Sequence, residues 1–200
     1  MTALTLIRHG ETDWNHARRI QGATDIPLND TGREQARAAA ALLRERRDRE
    51  HLVVVSSDLS RAQETAEIIA RELGLPAPRT YPGLRERSYG EAEGVTDEEF
   101  KERWGASNTA EVPGAESRDA LRNRGIAALG EAVRDLRRKT APSHASLIVV
   151  THGALIRELL NHASAGQHPP IGVRLTNGSA HELLYERERL SMLTEIAASV

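Results

Sequence analysis

Residues 3–12 read Ala3-Leu4-Thr5-Leu6-Ile7-Arg8-His9-Gly10-Glu11-Thr12. The run at 3–7 predicts a buried strand, and the chain then leaves the core through an arginine, a histidine and a glycine. Such an exit makes chemical sense when the histidine meets something anionic just beyond the strand.

The same arrangement recurs along the chain. Residues 52–56 (Leu-Val-Val-Val-Ser) form a second β-branched run. Ser57 and Asp58 follow as candidate caps of a helix reaching Leu73, with Gly74 placed to end it. Residues 146–151 (Ser-Leu-Ile-Val-Val-Thr) are the clearest strand in the sequence, and His152-Gly153 opens a helix to about His162. Between these runs, Asn29 or Thr31 can cap a helix to about Arg49, with Thr31 and Glu34 at capping-box spacing. Residues 78–81 suggest a weaker strand before a Gly-rich loop at 82–94, a short acidic helix at 96–104 and a surface loop at 105–116. Leu121, Ile126, Leu129, Val133 and Leu136 recur near a 3.6 period in a helix over 117–139. Residues 171–175 and 180–185 flank the turn dipeptide Asn177-Gly178 and read as closing strands. Residues 8–30 read as one long polar loop.

Strands alternating with helices predict the α/β class, with a largely parallel sheet covered on both faces. Ligands of such sheets sit beyond the carboxyl ends of the strands. His9, Arg61, Glu86 and His152 all lie just after predicted strands, so topology alone brings two histidines, an arginine and a carboxylate to one edge. The chain of 200 residues is expected to form a single domain over 1–200, with 95–117 as a short insertion or lid.

Composition narrows the function. The formal net charge is −2, which argues against a nucleic-acid or membrane surface as the main partner. With no cysteine and no H-E-x-x-H pair, no metal site is expected. Neither G-x-x-x-x-G-K-[ST] nor a G-x-G-x-x-G after a strand occurs, so nucleotide binding of those kinds is unsupported. The apolar run at 3–7 is too short for a secretory signal and no run approaches a membrane span; a cytoplasmic protein is expected. Of eight histidines, His16, His51, His144, His162, His168 and His181 are read as structural.

The four residues at the sheet edge suit phosphoryl transfer. Hydrolysis of a phosphate monoester requires neutralised phosphoryl oxygens and a good nucleophile. Arg8 and Arg61 offer planar forks that match those oxygens. His9 attacks only when neutral, and neighbouring guanidinium charge favours that form. His152, when protonated, adds a further donor. Glu86 is suited to protonate the leaving oxygen and then to activate water; burial beside Leu84 favours the protonated form, and Arg85 with Arg87 opposes it. Taken singly, Arg61 reads as a helix-surface residue, Glu86 as a solvated loop charge, and Gly10 and Gly153 as tight turns. Only their joint placement marks a site.

These residues fall within an ordered set that resembles the histidine phosphatase, or phosphoglycerate-mutase-like, superfamily over nearly the full length. The set runs through Arg8-His9-Gly10-Glu11-Thr12, Trp14-Asn15, Gln21-Gly22, residues 25–28 and 32–36, and Ser56-Ser57-Asp58-Leu59-Ser60-Arg61-Ala62. It continues through Leu84-Arg85-Glu86, Gly90, Glu93-Gly94, Pro113-Gly114-Ala115-Glu116-Ser117 and Thr151-His152-Gly153. The resemblance implies a three-layer α/β/α sandwich around a mostly parallel sheet. It implies His9 as the phosphorylated nucleophile, Arg8, Arg61, His152 and Gly153 around the phosphate, and Glu86 as proton donor. Asn15, Gln21 and Gly22 become substrate-side contacts, and Glu116 with Arg124 structural or rim groups. No cofactor is implied.

Two activities share such a pocket. Tyr89-Gly90 looks like the mutase version of its loop, and Lys101, Arg103, Arg118 and Arg122 are candidate cations for a bisphosphate. Glu93-Gly94, residues 113–117 and the short stretch between them look like the phosphatase branch. The reading favoured is a metal-independent phosphomonoesterase acting on a small phosphorylated metabolite through a phosphohistidine. A phosphoglycerate mutase is the alternative, and a catalytically silent phosphate-binding module the remote one. Oligomeric state is left open.

Overall fold

A computed structural model describes residues 1–46, 52–105, 110–141, 145–170 and 172–193. Six strands form one sheet: β1 (Thr2–Arg8), β2 (Leu52–Ser56), β3 (Arg79–Thr80), β4 (Ser146–Thr151), β5 (Ala180–Glu186) and β6 (Arg189–Met192). Their order is β3-β2-β4-β1-β5-β6. The pairs β3–β2, β2–β4 and β4–β1 are parallel, and β5 and β6 close the sheet antiparallel.

Alternation along the central strands divides two cores. Leu4, Leu6, Leu147 and Val149 face α5 (Arg118–Thr140) and α6 (Gly153–Ala163), with Leu121, Leu129, Leu155 and Leu159 in the same cluster. Ile7, Val54, Ile148 and Val150 face the other way, onto Ala39, Ala40, Leu43, Ala62, Ala66 and Ile69 of α2 (Asp30–Arg46) and α3 (Ser60–Leu73). Parallel strands covered on both sides are apolar on both, which explains their unbroken hydrophobic runs. The mostly parallel, three-layer architecture expected from sequence is the one observed.

Several local expectations change. The loop at 8–30 contains a one-turn helix α1 (Asp13–His16), started by a capping box between Thr12 and Asn15. Asn29, not Thr31, caps α2, because its Oδ1 accepts from Gly32 N at 2.9 Å. The expected continuation of α2 past Arg46 lies outside the described residues. Neither Ser57 nor Asp58 caps α3; Asp25 reaches across to accept from Ser60 N at 2.9 Å and Oγ at 2.7 Å. Helix α4 (Asp97–Trp104) begins as expected, with a capping box between Thr96 and Glu99.

The closing hairpin also differs. Residues 172–175 are not a strand, and Ile171 lies outside the described residues. The hairpin is instead β5–β6, joined by Arg187 and Glu188 at φ 49° and 63°. Both residues adopt the left-handed conformation of a tight hairpin turn without the Asn-Gly signal that marks such turns. Asn177-Gly178 does turn the chain, but at the sheet edge beside His9: Gly178 N donates to Arg8 O at 3.0 Å and Arg8 N to Ser179 O at 3.1 Å.

Beyond His9 the chain squeezes past the start of α2. A Cβ on Gly10 would lie 2.2 Å from Gly32 O and 2.8 Å from Gly32 Cα. Backbone meets backbone, so neither side can yield by rotating a side chain. Gly74, at φ 68°, has open space around the same position. In urea unfolding, Gly74→Ala should therefore cost about 1 kcal/mol of left-handed strain. Gly10→Ala should reach or exceed the upper end of the ~1–3 kcal/mol typical of overpacking. Equal losses would mean that the Gly10–Gly32 approach is not tight.

Candidate active site

Strand register brings the two histidines together. Arg8 lies opposite Thr151 in the parallel β1–β4 pair, so His9 and His152 each leave the sheet one residue later, side by side. Their ring centroids are 5.1 Å apart and both rings are buried. His9 Nδ1 lies 2.7 Å from Gly10 O. A carbonyl only accepts, so Nδ1 carries the proton and Nε2 keeps its lone pair.

The His9 backbone is held by side chains. Asn177 Nδ2 donates to His9 O at 2.9 Å and Gly10 O at 3.2 Å, and Gly10 N donates to Thr65 Oγ1 at 3.1 Å. Thr65 in turn donates to Arg61 O at 2.7 Å, which ties the His9 turn to α3.

Arg61, in the first turn of α3, is completely buried. Its terminal nitrogens donate to Gly22 O and Thr24 O, both at 2.8 Å. Glu93 braces that loop from behind, accepting from Ala23 N at 2.9 Å and Thr24 N at 3.0 Å. Arg8 donates to Leu175 O and passes over Gly153, where a Cβ would stand 3.4 Å from Arg8 Nε. Burial lowers both guanidinium pKa values from their ordinary range, against the opposing pull of Glu86. An arginine stays charged under that pressure.

Arg8 Nε, Arg61 Nε and both ring nitrogens of His152 are buried with no hydrogen-bond partner among the described residues. Buried polar atoms are rarely left without a partner, and a concentration of them beside one histidine marks a place where a ligand supplies the missing acceptors.

Glu86 follows the 3-10 turn Pro82–Leu84 and lines the same cavity. Its Oε1 accepts from Arg87 N at 2.9 Å and Leu155 N at 3.2 Å, and Oε2 from Ala154 N at 3.1 Å. It thus satisfies amides in the first turn of α6, the helix that His152 opens. Oε2 accepts from one amide, which leaves its second acceptor direction open.

The cavity has a volume of about 280 Å³ and is lined by eight arginines (8, 18, 19, 61, 87, 118, 157 and 174) against the carboxylates of Glu86, Asp97 and Glu158. Asn15, Gln21, Gly22 and Gly153 also line it. Asn15 spends its Oδ1 on Thr12 N and Asn177, so its amide nitrogen is the part left for a ligand. Tyr89 is a further wall residue; burial, then Glu86, pushes its hydroxyl to about 12.

Of the four extra cations expected, only Arg118 reaches the cavity, paired with Glu158 at 2.8 Å. Arg122 pairs with Asp119, Arg103 lies over Trp104, and Lys101 is exposed on α4. Arg18, Arg19, Arg87, Arg157 and Arg174 were not distinguishable in the sequence from surface arginines, because only the folded chain brings these loops and α6 to one mouth. Asn177 and Glu93 were missed as positioning groups for the same reason. His16, His162, His168 and His181 are not among the lining residues, and His51 and His144 lie outside the described residues.

Fold and site together define an α/β protein with a neutral histidine and two buried arginines converging at one sheet edge. The sequence pattern of the histidine phosphatase superfamily (branch 1) matches residues 4–195. The chain belongs to this superfamily. Among its relatives, the uncharacterised phosphatase PhoE of Bacillus subtilis is 36% identical, with 94% of this chain and 91% of that protein covered. A probable phosphoglycerate mutase, GpmB of Yersinia pestis, is 35% identical over 93% of this chain and 86% of its own length. The solved structure of a mycobacterial glucosyl-3-phosphoglycerate phosphatase with VO3 superposes with a TM-score of 0.78 at 30% identity, covering 96% of this chain and 97% of that one. The class is therefore an enzyme of the histidine phosphatase type, as the motifs imply. Among the described residues no helix is long and apolar enough to cross a membrane.

Burial, then the charges of Arg61 and Arg8, hold His9 well below its ordinary 6.5. Burial, Arg61, His9 and Arg8 do the same for His152. The native state keeps both rings neutral where an unfolded chain takes up protons. Stability should therefore fall as pH drops below about 6.5, by at most ~1.4 kcal/mol per pH unit for each ring. Denaturant unfolding between neutral and mildly acidic pH checks this, and His152→Asn should flatten the slope by one ring's share. An unchanged slope in that variant would show that His152 takes up protons alike in both states.

Proposed function

We propose that this protein is a metal-independent phosphomonoesterase that works through a phosphohistidine at His9. The observation that carries the reading is the free Nε2 of neutral His9, set among buried donors of Arg8, Arg61 and His152 that lack partners among the described residues. In the first step Nε2 attacks phosphorus and the P–O bond to the leaving group breaks. That oxygen takes the proton of Glu86, and the arginines hold the charge on the transferring oxygens. In the second step water attacks phosphorus and gives its proton to Glu86. The N–P bond breaks, and phosphate and neutral His9 are regenerated. Asn15, Gln21, Gly22 and Gly153 line the substrate side, and Asp97, from the start of the expected cover at 95–117, stands at the cavity wall; residues 106–109 of that segment lie outside the described residues. The whole of residues 1–200 serves as one such domain, acting in the cytoplasm.

The substrate is a small phosphorylated metabolite. The arginines beyond Arg8 and Arg61 exceed what one phosphoryl group needs, which favours a leaving group with a negative charge of its own. A second reading, a phosphoglycerate mutase, is favoured by the likeness to GpmB and by Tyr89 at the wall.

Hydrolysis of p-nitrophenyl phosphate in the presence of a chelator tests the main reading. Turnover should survive chelation and fall by at least ~10³ in His9→Asn, because removing a nucleophile leaves only the binding contribution. Unchanged turnover in that variant would refute the assignment. Conversion of 3- to 2-phosphoglycerate after priming with bisphosphoglycerate, faster than either is hydrolysed, would instead select the mutase.

A further inference from the structure

Arg124, on α5, uses all five N–H groups of its guanidinium. Nε and one terminal nitrogen form a fork on Glu116, at 2.7 Å to Oε1 and 2.8 Å to Oε2. The remaining donors reach Gly83 O at 3.0 Å, Arg85 O at 2.7 Å and Glu86 O at 2.8 Å. The intervening carbonyl, Leu84 O, accepts from Thr151 Oγ1 at 2.7 Å.

Four consecutive carbonyls, Gly83 to Glu86, are thus held by two side chains. The segment belongs to no strand, so no sheet ladder restrains it. One anchor, Thr151, immediately precedes His152, and the other grips the peptide group of Glu86 itself. Glu116 is fixed in turn, its N donating to Ser88 O at 2.9 Å and its carbonyl accepting from Arg87 Nε at 2.8 Å. Lysine at 124 has three donors on a point charge and cannot span three carbonyls and a carboxylate together.

We infer that Arg124, oriented by Glu116, is a positioning residue for catalysis: it sets the Glu86 carboxyl at the distance from His9 at which a leaving oxygen can be protonated. The inference rests on the reading of Glu86 as the proton donor. It separates two parts of the pocket, since the Arg8–Arg61–His152 cluster makes no hydrogen bond to Arg124. Loss of Arg124 should therefore impair protonation of the leaving group and spare binding of the phosphoryl group.

The test compares two phosphates. Departure of p-nitrophenolate needs no proton, whereas departure of an alkoxide does. kcat/KM is compared throughout, because it reports the steps up to departure of the leaving group, whereas kcat also contains hydrolysis of the phosphohistidine, in which Glu86 acts on water. Glu86→Gln sets the reference, with an expected loss of about 10²-fold or more in kcat/KM on an alkyl phosphate and much less on p-nitrophenyl phosphate. Arg124→Lys and Glu116→Gln should reproduce that pattern, with inhibition by orthophosphate unchanged within about 2-fold, each assayed below its own measured Tm. The double variant Glu86→Gln/Arg124→Lys should be no slower on the alkyl phosphate than Glu86→Gln alone, because one effect acts through the other. If Arg124→Lys slows both phosphates equally, or multiplies the Glu86→Gln loss, Arg124 is only structural and the inference is overturned. If Glu86→Gln itself lowers kcat/KM equally for both, the proton-donor reading falls and the inference with it.

Discussion

The parallel register of β1 on β4 is the constraint on which the rest depends. With Arg8 opposite Thr151, the first residues past the two strands are His9 and His152, and adjacent strands lie only about 4.8 Å apart. A shift of one residue would turn Leu4, Leu6 and Ile7 to the wrong cores as well as separating the rings. The apolar packing on both faces of the sheet therefore fixes the site geometry. No interaction between the histidines is needed to hold them together.

Concentrating positive charge at a buried sheet edge has an electrostatic cost, and the fold offsets it with oxygen atoms placed from several directions. Arg61 is surrounded by the carbonyls of Gly22 and Thr24, and the loop bearing them is braced by Glu93. Asp25, from the same loop, caps α3 and sits 4.0 Å from Arg61. These compensations are incomplete by design of the geometry: donors of Arg8, Arg61 and His152 still face inward without acceptors among the described residues. Burial first, and then the same field, keep both imidazoles neutral, so the charge that would bind an anion also helps to keep the nucleophile ready.

The site loops are organised by side chains where the sheet ladder ends. Asn177 holds the carbonyls of His9 and Gly10, Thr65 holds Gly10 N, and Arg124 with Thr151 holds the segment leading into Glu86. Loops fastened in this way can vary at the rim while the phosphoryl end stays fixed. That division is consistent with relatives that are named as a phosphatase and as a probable mutase.

Local pattern alone determined much of this protein. Both histidines, Arg61 and Glu86 could be placed at one sheet edge because buried parallel strands announce themselves as apolar runs and their ligands gather at the carboxyl ends. The α/β class, with a largely parallel sheet covered on both faces, and the approximate helix positions followed from the same periodicity, and the resemblance implied the three-layer sandwich. Tertiary structure alone decided what required groups distant in sequence to meet. The cap of α3 comes from Asp25, the closing turn is Arg187-Glu188, and the cavity wall includes Arg157 and Arg174. The five donors of Arg124 find their acceptors on two separate segments. Hydrophobic periodicity is a property of neighbours along the chain and can be read there. A hydrogen bond or a shared field depends on distance in space, which exists only once the chain has folded.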